Sequence, residues 1–226
     1  MALFVTTLLV SNIASSAKIV DWGVSLLGLP LAFDAGTLLF PVSYIFGDVL
    51  TEVYGYQRSR RVIWTGFGCA ALMGLTLWVV ARLPGEANWQ SYAGQAAYDA
   101  ILGGVSQGGI IVASLVAYFA GEFSNSYTLA RMKVWTGGRW LWTRTIGSTL
   151  VGEGVDTVVF VVIAAAAGVF PWAAALSIIV ANYIFKVSIE VLFTPFTYRI
   201  VNTLKRLENE DYFDRNTDFN PFRLEV

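Results

Sequence analysis

Residues 141–160 read LWTRTIGSTLVGEGVDTVVF, and the apolar segment 145–169 that contains most of them is long enough to cross a bilayer, which takes about 20 residues of helix. Within it, GEGVD (152–156) sets Glu153 and Asp156 three residues apart, on one helical face. A charged side chain at the bilayer centre costs at least ~2.5 kcal/mol on insertion scales, so two acids in one span require a partner or a task.

The rest of the chain has the same character. Of its 226 residues 56% are hydrophobic and only 14% charged, and the mean hydropathy is +0.60. A soluble domain carries nearer a quarter charged residues. The composition indicates an all-α polytopic membrane protein in contact with the lipid bilayer. A net charge of -1 without a basic surplus gives no footing for nucleic acid. The single cysteine, Cys69, lies in an apolar run and reads as a small buried hydrophobe. The absence of histidine removes the commonest general base and metal ligand. No cofactor is expected, and the apolar start without a basic leader reads as a span rather than a cleavable signal peptide.

Outward from the fifth span, a turn at Pro171 and Trp172 leads to a sixth at 173–201, and residues 202–226 read as a polar, largely solvated tail. On the other side lie a basic, Trp-rich loop, a fourth span at 109–130 and a third at 62–83. Between the third and fourth, residues 84–108 place Trp89, Tyr92, Ala93, Ala96 and Ala100 at helical spacing, which predicts an interfacial or re-entrant helix. The second span is expected at 37–54, a loop or shallow segment at 23–36, and the first span at 2–20 with Trp22 at its interface. The chain thus divides into a six-helix transmembrane domain, 1–201, and a tail, 202–226. Of the 15 Lys and Arg residues, 12 fall on one side of this arrangement, Lys18 and Arg82 on the other and Lys186 within a span. The positive-inside rule then puts both termini in the cytoplasm.

Six acids fall within spans, Asp48, Glu52, Glu122, Glu153, Asp156 and Glu190, against one intramembrane cation, Lys186. They lie in stripes: Tyr44, Asp48 and Glu52; Tyr118, Glu122 and Asn125; Thr149, Glu153, Asp156 and Phe160; Asn182, Lys186, Glu190 and Phe193. If the stripes converge they line one polar, partly aromatic cavity. Plainer readings stand beside this one. Lys186 and Glu190 form an i,i+4 pair suited to holding register, Glu52 is placed to pair with Arg58 or Arg61, Asn12 suits an interhelical hydrogen bond, and the aromatic residues suit packing. Glu122 with Asn125, and Glu153 with Asp156, have no obvious cation in sequence.

Carboxylates match a ligand with a row of N–H donors, a positive charge, or both, such as a guanine-like edge with an appended ammonium. A metal cation would also find hard oxygen ligands here. The Gly-Glu-Gly-Val-Asp string departs by one residue from the Gly-x-Gly-Asp of intramembrane aspartyl proteases, and serine and zinc intramembrane proteases need histidine. The chain reads as a non-enzyme.

Four blocks, FPVSYIFGDVLTEVYGY (40–56), GEFSNSYTLARMK (121–133), LWTRTIGSTLVGEGVDTVVF (141–160) and TDFNPF (217–222), resemble the queuosine-precursor transporter family, also called the vitamin-uptake transporter family. The resemblance implies a six-helix protein of the cell inner membrane that imports 7-cyano- and 7-aminomethyl-7-deazaguanine, shaped like the substrate-binding subunits of energy-coupling-factor transporters. It carries Asp48, Glu52, Glu122, Asn125, Glu153 and Asp156 into the family's polar blocks. The substrate-binding set then comprises Asp48, Tyr118, Glu122, Asn125, Glu153, Asp156, Phe160, Asn182, Lys186 and Glu190. A homo-oligomer or an energising partner is left open. A binding subunit that needs such a partner would offer Ser11 and Ser15, or Ala14 and Lys18, as a close-packing face.

Overall fold

The computed structural model describes residues 1–26, 29–168 and 171–223. Helices dominate, because inside a bilayer each backbone N–H and C=O must be paired within the protein. In chain order these are α1 (Ala2–Ala17), an antiparallel hairpin of β1 (Ile19–Leu26) and β2 (Leu29–Asp34), a 3-10 turn (Ala35–Leu38), α2 (Phe40–Tyr54), α3 (Tyr56–Val80), α4 (Ala87–Tyr92), α5 (Gly94–Ser106), α6 (Gly108–Trp135), α7 (Leu141–Ala166) and α8 (Trp172–Glu208).

The hairpin is a departure from the all-helical expectation. It pairs Ile19 with Asp34 and Leu26 with Leu29 across the segment read as a loop. The alternation in IVDWGVSL is a strand signal that Pro30 and the flanking glycines obscure in the sequence. Residues 27–28 of that segment, Val169 at the end of the expected fifth span and the last three residues of the tail lie outside the described residues, as does the side chain of Trp22.

Four helical stretches are long and apolar enough to cross a membrane: Tyr56–Val80, Gly94–Trp135, Leu141–Ala166 and Ile178–Glu208. Their large outward residues include Leu72, Val112 and Leu192, all well exposed, which suits a lipid-facing surface. α1 and α2 have 16 and 15 residues, about 24 and 22 Å at the usual rise, against a hydrocarbon core of about 30 Å. The six expected spans are therefore four by length and composition, with two shorter helices beside them. Segment 84–108 is a pair of helices rather than one: α5 packs on α1 and α3, with Ser16 Oγ donating to the Ile101 carbonyl at 2.8 Å and Tyr98 to that of Leu77 at 2.9 Å.

The small-residue face of α1 is used within the chain. Ser11 Oγ donates to the Gly36 carbonyl at 2.9 Å, and a Cβ added at Gly36 would meet Ser15 and Ser11 at once.

α6 and α7 pack more closely than any other helix pair among the described residues. Glycine permits it: a Cβ at Gly152 would stand 2.6 Å from Asn125 Cβ and 3.1 Å from the Gly121 carbonyl, and one at Gly121 would stand 2.7 Å from Asp156 Cβ. This approach puts the acids of α6 directly against those of α7.

The tail corrects the sequence reading. α8 continues to Glu208, beyond the boundary expected at 201, and the segment after it folds back over the start of α3 instead of standing in solvent. Tyr212 N–H donates to the Val53 carbonyl at 3.0 Å, and Asp214 accepts from the backbone N–H of Tyr56, the first residue of α3, at 3.1 Å. The tail carbonyls accept from Tyr56 (Phe219, 3.0 Å), Arg60 (Asn220, 2.7 Å) and Trp64 (Pro221, 2.8 Å). Phe219 packs on Tyr56, and Phe222 stacks on Phe119. A stretch of chain rich in polar residues thus packs Phe219 and one face of Phe222 against aromatic rings of α3 and α6 and has its backbone acceptors satisfied by side chains of α3, which makes docking favourable.

Candidate functional site

Two buried ionic clusters lie between the helices. The first is centred on Lys186 of α8. Its Nζ stands 2.6 Å from Asp156 Oδ2 and 3.0 Å from Glu153 Oε2, both on α7. Tyr44 of α2 donates a side-chain hydrogen bond to Glu153. The i,i+4 pairing of Lys186 with Glu190 is therefore replaced by a bridge between helices, and the pair Glu153 and Asp156 does have a cation.

Beside this bridge, Asn125 Nδ2 of α6 donates to Asp48 Oδ1 of α2 at 2.8 Å. Glu122, one turn away on α6, is 3% exposed, and Glu190 on α8 is 2% exposed. Among the described residues, Asp48 Oδ2, Asn125 Oδ1, Glu122 Oε2 and Glu190 Oε1 have no hydrogen-bond partner. Buried acceptors without donors are costly, so this side of the site is arranged for something that brings positive charge or N–H groups.

The structure thus gathers Asp48, Glu122, Asn125, Glu153, Asp156, Lys186 and Glu190 between α2, α6, α7 and α8. The other expected residues differ. Tyr118 spends its hydroxyl on the Ile63 carbonyl at 3.2 Å, and its ring lines a small, separate cavity of about 30 Å³ with Leu8, Asn12 and Met73. Asn182 and Phe160 are half-buried, each one turn beyond the Lys186 bridge. Asn12 donates to the Leu8 carbonyl of its own helix at 2.8 Å, not across to a neighbour. Tyr44 is the site residue that sequence reading left to packing; its place in the Asp48 stripe was the available signal.

The second cluster surrounds Glu52, one turn from Asp48 on α2 and fully buried. Arg144 grips it bidentately, Nε to Oε2 at 2.7 Å and Nη2 to Oε1 at 2.8 Å. Lys133 and Lys205 add two more cations, and Asp211 of the tail joins both. Arg58 pairs with Glu210 on the surface instead of with Glu52. Burial works to raise the Asp211 carboxyl, but hydrogen bonds from Lys133 and Lys205 outweigh it and hold the group below its ordinary value. For Asp214 burial prevails over the hydrogen bonds from Thr217 and Tyr56, and its carboxyl is raised. With three cations against its two acids, and fork-bonded by Arg144, the Glu52 cluster ties α2, α6, α7, α8 and the tail together. The Asp48 and Glu122 side has spare acceptors, which makes it the better candidate for a ligand.

Residues 34–200 match a family model described as "Putative vitamin uptake transporter". A Bacillus subtilis (strain 168) protein named "Probable queuosine precursor transporter" is 28% identical over 176 residues, covering 77% of this chain and 73% of the relative. A Haemophilus influenzae protein of the same name is 24% identical over 177 residues, 76% of this chain and 69% of the relative. No solved structure matches the chain.

Proposed function

The chain belongs to the vitamin uptake transporter family, and from that premise we propose that it imports 7-deazaguanine precursors of queuosine, the 7-cyano and 7-aminomethyl forms, across the cell inner membrane. The observation that carries this reading is the buried, unsatisfied Glu122 carboxylate beside the Lys186 bridge, in a chain whose relatives are named for queuosine precursors. A 7-deazaguanine presents N1–H and an exocyclic amine on one edge, the donor pattern that a carboxylate accepts in pairs.

In this reading Glu122 grips the guanine edge with Asn125 alongside, and Glu153 shares that role. Asp156 or Asp48 receives the aminomethyl ammonium or a coupled proton. Lys186 holds α8 against α7 and turns toward the ligand together with Glu190, while Asn182 and Phe160 border the bound ring; Tyr118 supports Glu122 from the neighbouring turn. Six helices cross the membrane, with α1 and α2 as the short pair, both termini are cytoplasmic, and the tail caps the cytoplasmic side of the transmembrane domain. The distribution of cations supports that orientation. A form like the binding subunits of energy-coupling-factor transporters fits such a bundle. Dependence on an external energising module is the second reading; with Ser11 and Ser15 of α1 packed on Gly36, the face it would use is that of Ala14 and Lys18.

The test is queuosine content of tRNA in cells unable to make the precursors and supplied with them at nanomolar level. Wild-type chain restores queuosine, whereas Glu153→Gln combined with Asp156→Asn lowers uptake by at least about tenfold, the effect of ~1.4 kcal/mol in binding. Normal import by the double variant removes the site assignment.

A further inference from the structure

Lys186 supplies one positive charge and spends it on Glu153 and Asp156. Asp48 and Glu190 are left on the other side of the same cluster. Asp48 is fully buried and Glu190 is 2% exposed, and each has a carboxylate oxygen without a donor among the described residues. They come from different helices, α2 and α8, which pack against each other, and lie within electrostatic reach of one another. The charged groups around them are Glu52 on α2, Glu122 on α6, Glu153 on α7 and Lys186 on α8. Glu52 already has Arg144, Lys133 and Lys205. Nothing among these neutralises the pair, and two nearby carboxylates buried in a low-dielectric interior repel strongly when both are charged.

Asn125 gives the second indication. Its amide nitrogen is fixed on Asp48 Oδ1, which fixes the amide oxygen too, and that oxygen is fully buried with no donor. An amide oxygen takes up no proton at ordinary pH, so a cation or a donor group is what satisfies it. No set of three or more Asp, Glu, Cys or His side chains among the described residues is placed to hold a metal ion. A multi-carboxylate divalent centre is therefore not on offer. One or two carboxylates with a neutral oxygen suit a single positive charge.

We propose that Asp48, Asn125 and Glu190 form a binding site for one small monovalent cation taken from the medium, a proton or a sodium ion, and that its occupancy drives transport at the adjoining Lys186 cluster. The coupling role rests on the transport reading above; the occupancy does not. Coupling ions in transporters commonly sit next to the carried molecule, and Glu190 lies within electrostatic reach of Glu153 in the Lys186 cluster. The cation relieves the Asp48 and Glu190 repulsion, draws α2 toward α8, and so links its own binding to the closure of helices around the site.

The experiment uses purified full-length chain with no transported molecule. Its melting temperature is recorded in sodium, potassium and choline chloride at equal ionic strength, and in choline chloride at mildly acidic and mildly alkaline pH. Occupancy raises the melting temperature by about 2–4 °C. A sodium-specific rise identifies sodium, and a rise in acid that is blind to sodium identifies the proton. Asp48→Asn with Glu190→Gln keeps the shapes and loses the rise. Should that pair not fold, Glu190→Gln alone leaves the Asp48 bond to Asn125 intact and serves instead. Identical melting under all these conditions, or an undiminished rise in the variants, overturns the proposal. If the ion response survives while deazaguanine uptake is absent, the cation site stands and the substrate reading falls.

Discussion

At the level of single residues, the arrangement is decided by which acids obtain a cation. Lys186 reaches across to α7 rather than along its own helix to Glu190. A Lys placed N-terminal to its Glu is the weaker order for an i,i+4 pair, so the interhelical partners win. Removing one member of a buried pair leaves the other uncompensated, at about 3–5 kcal/mol. Lys186→Met is therefore expected to lower the denaturation midpoint sharply, and adding Asp156→Asn to regain part of the loss; strictly additive losses in that double-mutant cycle would show that the bridge carries no coupling. Arg144 is argued the same way. Arg144→Lys keeps the charge at Glu52 and loses the two-pronged geometry, so a loss of about 1.5–3 kcal/mol is expected in equilibrium unfolding, and an unchanged midpoint would mean that the fork is dispensable. The acids of the site were legible from the sequence because a charge in an apolar run is conspicuous. Their partners were not, since Arg144 is 92 residues and Lys205 153 residues from Glu52, and spacing along a chain carries no information about such pairs.

For the helices, hydropathy located the crossing segments and missed their ends and their contacts. α6 and α8 run on past the expected limits into amphipathic turns, where polar residues such as Lys133 and Lys205 are paired instead of solvated. The glycines of α7 illustrate the same limit. Gly152 and Gly154 look equivalent in sequence, both leaving backbone bare beside Glu153. Only Gly152 faces α6, and a methyl group there meets Asn125 and the Gly121 carbonyl, whereas at Gly154 the nearest atom is the Tyr183 ring at an ordinary 3.6 Å. Gly152→Ala is expected to cost about 1–3 kcal/mol by overpacking, and, by moving Asn125, to weaken ligand binding as well. Gly154→Ala should leave both unchanged or slightly improve stability, as alanine favours helix. Melting and binding measured on the two variants check this, and equal behaviour would remove the close approach of α6 and α7 as the cause.

The molecule as a whole is closed at one end by the tail, which lies beyond the residues matched by the family model. Composition could not show this. The tail is polar because its hydrogen bonds and charges are answered by α2, α3, α6 and α8, so polarity there signalled docking as readily as solvation. Asp211 is the electrostatic part of that docking. Hydrogen bonds from Lys133 and Lys205 lower its carboxyl against the lift of burial, so its contribution is complete above the unfolded value of about 4 and is lost as pH falls through the lowered one. Asp214 has the opposite sign: burial raises its carboxyl, which penalises the charged form, so protonation there relieves a cost as pH falls. The expected outcome is a tail that stays docked down to about pH 4 and loosens only below it, because the Asp211 contacts then go while the Asp214 penalty has already been relieved. Trp64, whose indole N–H is held by the Pro221 carbonyl at 2.8 Å, and cleavage at Arg215 by trypsin after brief acid exposure report on the docked state. Asp211→Asn should be looser at neutral pH and show little further loosening in acid; acid loosening of wild-type size in that variant would place the switch in some other carboxyl, with Asp214 excluded by its sign.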